Sequence, residues 1–260
     1  MKTLTACVVA VLALAAVSSV HAANPDKAVV TRDFTDTIAP AEMQAYGAGV
    51  KTYNQCLREH GITFNEYAVT HETGANTYQV SYDVGPTSWA QQDALDAAAK
   101  PCDATFHTQV DPHLKNESST FMVEQPDMSH MPGNWRHRPP PKILHVINYT
   151  LKPGRNASMA FTDAVKKIAA AAVKTKWPYY WDTVAIEGGG EDAPDFQVAI
   201  GSQDWAEAGA DPSPSLWKMV ANAYGQKEAD AIRSALDTAT LKSTDHFDRY
   251  DTDLSYIAGK

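Results

Sequence analysis

The chain has 260 residues, of which 44% are hydrophobic and 20% charged, and its formal net charge is -9. That balance can bury a genuine core, and the negative excess with no basic stripe argues against a nucleic-acid partner. Nothing after Ala23 approaches the roughly 20 consecutive apolar residues that a membrane-spanning helix needs.

Residues 1-22 read as a secretory signal peptide. Lys2 precedes an apolar run from Val8 to Val17, and Val20-His21-Ala22 offers small positions for cleavage before Ala23. The expected location is the periplasm or the extracellular space. Cleavage removes Cys7 and leaves Cys56 and Cys102. An oxidising compartment lets these two join; the alternative is a pair of buried free thiols. Neither belongs to a CxxC pair or a zinc-spaced cluster, so no metal site is expected from them.

The rest of the chain reads as one unit written twice. A strand from Ala28 to Phe34 leads to a helix from about Pro40 to His60, whose Met43, Tyr46, Val50, Tyr53 and Leu57 form one apolar stripe. Strands from Ile62 to His71 and Asn76 to Val84 flank the turn at Glu72-Thr73-Gly74-Ala75. A second helical region starts near Thr87, is re-entered at Pro101, and gives way to a strand near Thr120 to Gln125. Gly85-Pro86-Thr87-Ser88-Trp89-Ala90 then recurs as Gly201-Ser202-Gln203-Asp204-Trp205-Ala206, and Val80, Tyr82 and Val84 match Phe196, Val198 and Ile200. The second copy runs from a strand at Lys142 to Thr150 through a helix carrying Phe161, Val165, Ile168 and Ala172. A hairpin around Gly188-Gly189-Gly190 follows, and extra residues are placed near Gly209 to Pro214. The predicted division is 23-125 for the first repeat, 126-141 for a Pro-rich linker and 142-260 for the second repeat.

Strand, helix, strand, strand, helix, strand, twice over, is an α+β arrangement of two tandem ferredoxin-like repeats. Apolar residues on both phases of the strands predict that the two sheets pack against each other. On this element order, and on Leu151-Lys152-Pro153-Gly154-Arg155 and Gly201-Ser202-Gln203-Asp204-Trp205, the chain resembles a tandem dimeric α/β barrel, NIPSNAP-like or antibiotic-biosynthesis-monooxygenase-like. That resemblance implies a cleft between sheet and helices able to hold a small organic molecule or haem. It also implies that fusion of two copies satisfies the exposed sheet faces within one molecule, so a monomer or weak homodimer is expected.

Five side chains stand out as ligand-binding candidates. Arg32 and Asn148 occupy matching places in the overlay, where each either anchors a ligand oxygen or meets solvent at an open barrel end. His71 ends the strand before the first hairpin and His145 lies in the first strand of the second repeat; each is a base near neutral pH or a structural imidazole. For haem, the resemblance implies an axial histidine from the second repeat, and His145 is the candidate. Trp181 belongs to the aromatic group Trp177, Tyr179, Tyr180 and Trp181, which lines a pocket or builds a core. Met122, Met128, His130, Met131 and His137 have the letters of a copper set and equally the composition of a connector.

With no nucleophile, metal or cofactor constellation apparent, the sequence points first to an exported small-molecule-binding or sensing protein. The alternatives are a monooxygenase-like or haem-dependent oxidoreductase using the inter-sheet cleft, and a structural or protein-interaction domain. No cofactor is predicted, with haem and flavin left open.

Overall fold

The computed structural model describes residues 29–135 and 138–259, so the expected leader lies outside the described residues. The first repeat runs β1 (Val30–Ile38), α1 (Met43–Glu59), β2 (Glu66–His71), β3 (Gln79–Thr87), α2 (Gln92–Ala99), α3 (Asp103–Gln109) and β4 (Leu114–Glu124). The second runs β5 (Ile143–Leu151), α4 (Arg155–Thr175), β6 (Asp182–Glu187), β7 (Phe196–Ser202), α5 (Trp205–Ala208), α6 (Leu216–Tyr224), α7 (Gln226–Ala239) and β8 (Thr240–Tyr256). The βαββαβ order therefore recurs, with the second helical region of each repeat broken into short pieces.

The strands close into one antiparallel barrel in the order β1-β3-β2-β8-β5-β7-β6-β4. Each repeat supplies a four-stranded sheet, and the two sheets meet at two seams, β2 with β8 and β4 with β6. Closure leaves no unpaired sheet edge, which removes the template for unwanted strand addition. Among the described residues, no helix is long and apolar enough to cross a membrane.

Alternation along each strand sends one set of side chains to the helices and the other into the barrel. In the first repeat Ile38, Ala68, Val80 and Tyr82 pack with Tyr46 and Val50 of α1 and with Val110. α1 presents this face because Tyr46, Gly49, Val50, Asn54 and Leu57 recur at helical spacing. In the second repeat α4 buries Phe161, Val165 and Ile168 against the sheet, and its Ala164, Ala169 and Ala172 leave room for α6 and α7 to pack alongside. Each large side chain fully buried here, such as Tyr46 or Phe161, contributes on the order of 1.5–3 kcal/mol.

The pseudo-twofold relation is visible in equivalent contacts. Trp89, just after β3, packs on Phe121 of β4 with ring centroids 4.8 Å apart, and Trp205, just after β7, packs on Phe247 of β8 at 5.4 Å. At the first strands the sequence overlay was out of step. β1 and β5 are both nine residues long, so Arg32 corresponds to His145 and Thr35 to Asn148. Gly209 to Pro214 forms the loop between α5 and α6, where the extra residues were expected.

Cys56, in the last turn of α1, is bonded to Cys102 just before α3, with their Cα atoms 5.9 Å apart. The bond ties the two helical regions of the first repeat together. The connector is strapped to the second repeat: Met128 is fully buried, its carbonyl accepts the Trp181 indole N–H at 2.9 Å, and His130 pairs with Trp181 through the backbone.

Candidate functional site

Two polar clusters lie on opposite faces of the first repeat's sheet. On the helix-facing side, between the sheet and helices α1 and α3, is a cavity of about 200 Å³. Phe34, Val50, Tyr53, Val84 and Phe106 form its apolar walls, and Asp36, Glu66, Tyr82, Asp103, His107 and Glu117 place polar groups on it. The two repeats differ here for a packing reason. In the first the second helical region is short, whereas in the second α6 and α7 with Trp177, Phe161 and Phe196 fill the equivalent space.

At the floor of this cavity the Tyr46 hydroxyl donates to Asp36 Oδ2 at 2.6 Å and lies 2.7 Å from the Tyr82 hydroxyl. Asp36 Oδ1 has no hydrogen-bond partner among the described residues. Its neighbour is the carboxyl of Glu117, the register partner of Asp36 across β1 and β4. Glu117 is itself exposed, and its negative charge beside the buried Asp36 carboxyl disfavours ionisation of Asp36. Burial first, and Glu117 in part, push the Asp36 carboxyl up to about 7 against the opposing Tyr46 hydrogen bond. Burial alone pushes Glu66 up to about 7. Burial likewise raises Glu117, and both Tyr46 and Tyr82 are held far above the usual phenol range, so they remain neutral donors.

The second cluster lies inside the barrel. Asp33 and Asp83 are register partners on β1 and β3, Thr35 and Ser81 are the next pair on the same face, and His71 and Asp248 face each other across the β2/β8 seam. Ser81 Oγ lies 2.9 Å from Thr35 Oγ1 and 3.3 Å from His71 Nε2. The His71 and His246 rings stack at 4.7 Å. Burial raises the Asp33 and Asp83 carboxyls, and repulsion from Asp248 adds to it in both. Burial lowers His71 against the attraction of Asp248, which favours the neutral imidazole. The expectation of apolar side chains on both strand phases therefore fails for this half of the lumen, where acids and imidazoles take the inward phase.

The sequence-derived candidates scatter. Arg32 and Asn148 do not occupy matching places: Arg32 lies on the outer face, on Phe34 and Phe121, pairing with Asp96 at 3.1 Å. Asn148 points into the barrel and accepts from Gln197 at 3.2 Å. His145, also on the outer face, stacks on Phe247 and pairs with Asp245 at 2.9 Å. Trp181 is buried in the second core. Of the five, only His71 joins a chemically coherent set. In the connector, Met128 is buried in the core and His130 Nε2 lies 3.0 Å from the Trp177 carbonyl, while His137 falls outside the described residues.

His71, His246 and Asp248 have donor atoms capable of coordinating a metal, and Cys56, His60 and Cys102 are similarly close together. The latter sulfurs are joined in a disulfide and carry no thiolate to offer. Reading the sequence for metal spacing missed the first set because its members are far apart in the chain. The only local trace is His246-x-Asp248, two places apart on one strand face.

No family model matches the chain, and no curated protein matches it either. Among solved structures, a protein of Lactobacillus acidophilus NCFM assigned as a monooxygenase superposes with a TM-score of 0.51 at 11% identity, covering 86% of this chain and 95% of that one. A mutant chlorite dismutase from Candidatus Nitrospira defluvii, in complex with cyanide, superposes with a TM-score of 0.51 at 9% identity, covering 88% of this chain and 93% of that one. The fold is that of a dimeric α/β barrel. At such identities the likeness is one of architecture, and activity must be argued from the residues of this chain.

Haem does not fit those residues. The first-repeat cavity, at about 200 Å³, is smaller than the roughly 300–1,000 Å³ usual for drug-sized ligands. In the second repeat, Tyr149, Phe161 and Phe196 pack where sheet and helix meet, and His145 is held by Phe247 and Asp245.

Proposed function

We propose that this dimeric α/β barrel is a monooxygenase-like oxidoreductase whose site is the cavity of the first repeat. The observation that carries this reading is the buried Asp36 carboxyl at the cavity floor, which accepts from Tyr46, stands beside Glu117 in register and is pushed up to about 7, first by burial. A carboxyl held near neutrality beside a small, mostly apolar cavity is suited to take a proton from a bound molecule and to return it. The acids Asp36, Glu66, Asp103 and Glu117 around the cavity disfavour anions, which argues against chlorite as its substrate. They favour a small neutral molecule with an activated methylene. Deprotonation there gives a carbanion that dioxygen can oxidise: R–CH2–R′ and one O2 become R–CO–R′ and water, so no external reductant is needed. Binding without turnover would require the cavity but not a buried carboxyl that titrates near neutrality, and this favours the catalytic reading over a sensor. The Cys56–Cys102 bond supports placement in an oxidising compartment outside the cytoplasm.

The test is oxygen consumption with a panel of small cyclic 1,3-diketones and aryl-activated methylenes. Turnover should rise with pH through about 7 and fall about 100-fold or more in Asp36→Asn. Val84→Phe, which fills the cavity, should abolish both binding and turnover. Binding of these compounds without oxygen uptake would return the protein to the sensing class.

A further inference from the structure

We propose that the β2/β8 seam inside the barrel binds one divalent first-row transition-metal ion through His71, His246 and Asp248. The cleft lies on the other face of the same sheet, so this inference stands independently of the activity proposed above.

The donor atoms of the three side chains all lie within 4.8 Å of one another. His246 Nε2 is 3.2 Å from Asp248 Oδ2, and His71 Nε2 is 3.8 Å from Asp248 Oδ1. The strand geometry explains the convergence. His71 and Asp248 are direct register partners across the seam, and His246 stands two residues before Asp248 on the same inward face. Because β2 comes from the first repeat and β8 from the second, the set exists only in the closed barrel.

Asp248 supplies the observation that points to an ion. It is 3% exposed, yet its Oδ1 accepts no hydrogen bond among the described residues. A buried carboxylate oxygen left bare is costly, and a cation between it and two imidazoles would remove that cost. Asp33 and Asp83 on the neighbouring strands face the same interior and add negative potential that retains a cation.

Two imidazoles with one carboxylate suit zinc, iron, nickel or copper, whereas magnesium and calcium prefer oxygen ligands alone. Three protein donors also leave coordination positions for water or a small ligand. Ser81 can turn from His71 towards Thr35, which it already meets at 2.9 Å, when the imidazole takes a metal. Gly74, in the β2–β3 turn at φ +94°, caps this end; a Cβ there would stand 3.3 Å from His246 Cβ.

A tag-free full chain, stripped with a chelator, would be titrated with Co²⁺ and with Zn²⁺ by calorimetry, and the Co²⁺ complex followed by visible absorption. One ion per chain with low-micromolar or tighter affinity is expected. His246→Ala and Asp248→Asn should each weaken it by at least about tenfold, while His113→Ala, on an ion pair with Glu42 outside the barrel strands, should not. Circular dichroism checks each fold. If a variant fails to fold, the wild type decides alone: Zn²⁺ should raise its melting temperature saturably at one equivalent. Absence of saturable binding by the wild type, or affinity unchanged in a folded His246→Ala, would overturn the assignment.

Discussion

Tyr46 of α1 and Asp36 of β1 are joined by a hydroxyl-to-carboxylate hydrogen bond of 2.6 Å, and both side chains are sealed from solvent. Replacing Tyr46 with Phe removes the donor while keeping the ring, leaving a buried carboxylate and the Tyr82 hydroxyl short of a partner. The expected loss is about 1–3 kcal/mol, read as a lower urea midpoint at unchanged slope. The same change should move the Asp36 titration to higher pH, because the lost bond favoured the ionised form.

Stability should fall as pH rises from about 4 towards 8. Asp36 and Glu66 both titrate near 7 in the folded chain, raised from 3.8 and 4.5. The native state therefore binds more protons than the unfolded chain across that interval, and raising the pH favours unfolding. This contribution is fully present below the unfolded values and lost once pH passes the folded ones. Urea midpoints at pH 5 and pH 8 measure the difference, and Asp36→Asn with Glu66→Gln should shrink it; a midpoint that rises over this interval would contradict the assignment.

Gly49→Ala should be among the more damaging single-methyl additions. A Cβ at Gly49 would stand 1.9 Å from the Gln109 carbonyl oxygen, so α1 and α3 touch backbone to backbone there. Relief requires α3 to move, at a cost of about 1–3 kcal/mol or more. Since α3 carries Phe106 and His107 onto the cavity, ligand affinity should drop along with the melting temperature.

Loss of the Cys56–Cys102 bond should loosen the first repeat in particular. The bridge closes a separation of 46 residues, and such a cross-link contributes about 2–4 kcal/mol. In Cys56→Ala/Cys102→Ala, hydrogen exchange should accelerate in α1 and α3 before α4 and α7. Equal acceleration in both repeats would mean that the barrel opens as a single unit.

The repeat, the order of its elements and the partner of each cysteine were legible along the chain, because hydrophobic periodicity, turn residues and a two-cysteine count are local or countable properties. The stripe Tyr46, Val50 and Leu57 marks a helix wherever that helix docks. Register was less legible: the match at Trp89 and Trp205 carried over to the first strands would pair Arg32 with Asn148, and period-two alternation puts a misaligned residue on the wrong face. The sites were hardly legible at all. His71 was visible as a strand-end imidazole, but its meeting with His246 and Asp248 required barrel closure to bring β2 beside β8. Asp36 and Glu117 lie beyond the strands read from the sequence, and only the pairing of β1 with β4 set the two carboxyls side by side. A residue's chemistry is written in the sequence, whereas the burial that shifts it and the partner it meets are set by contacts between strands far apart in the chain.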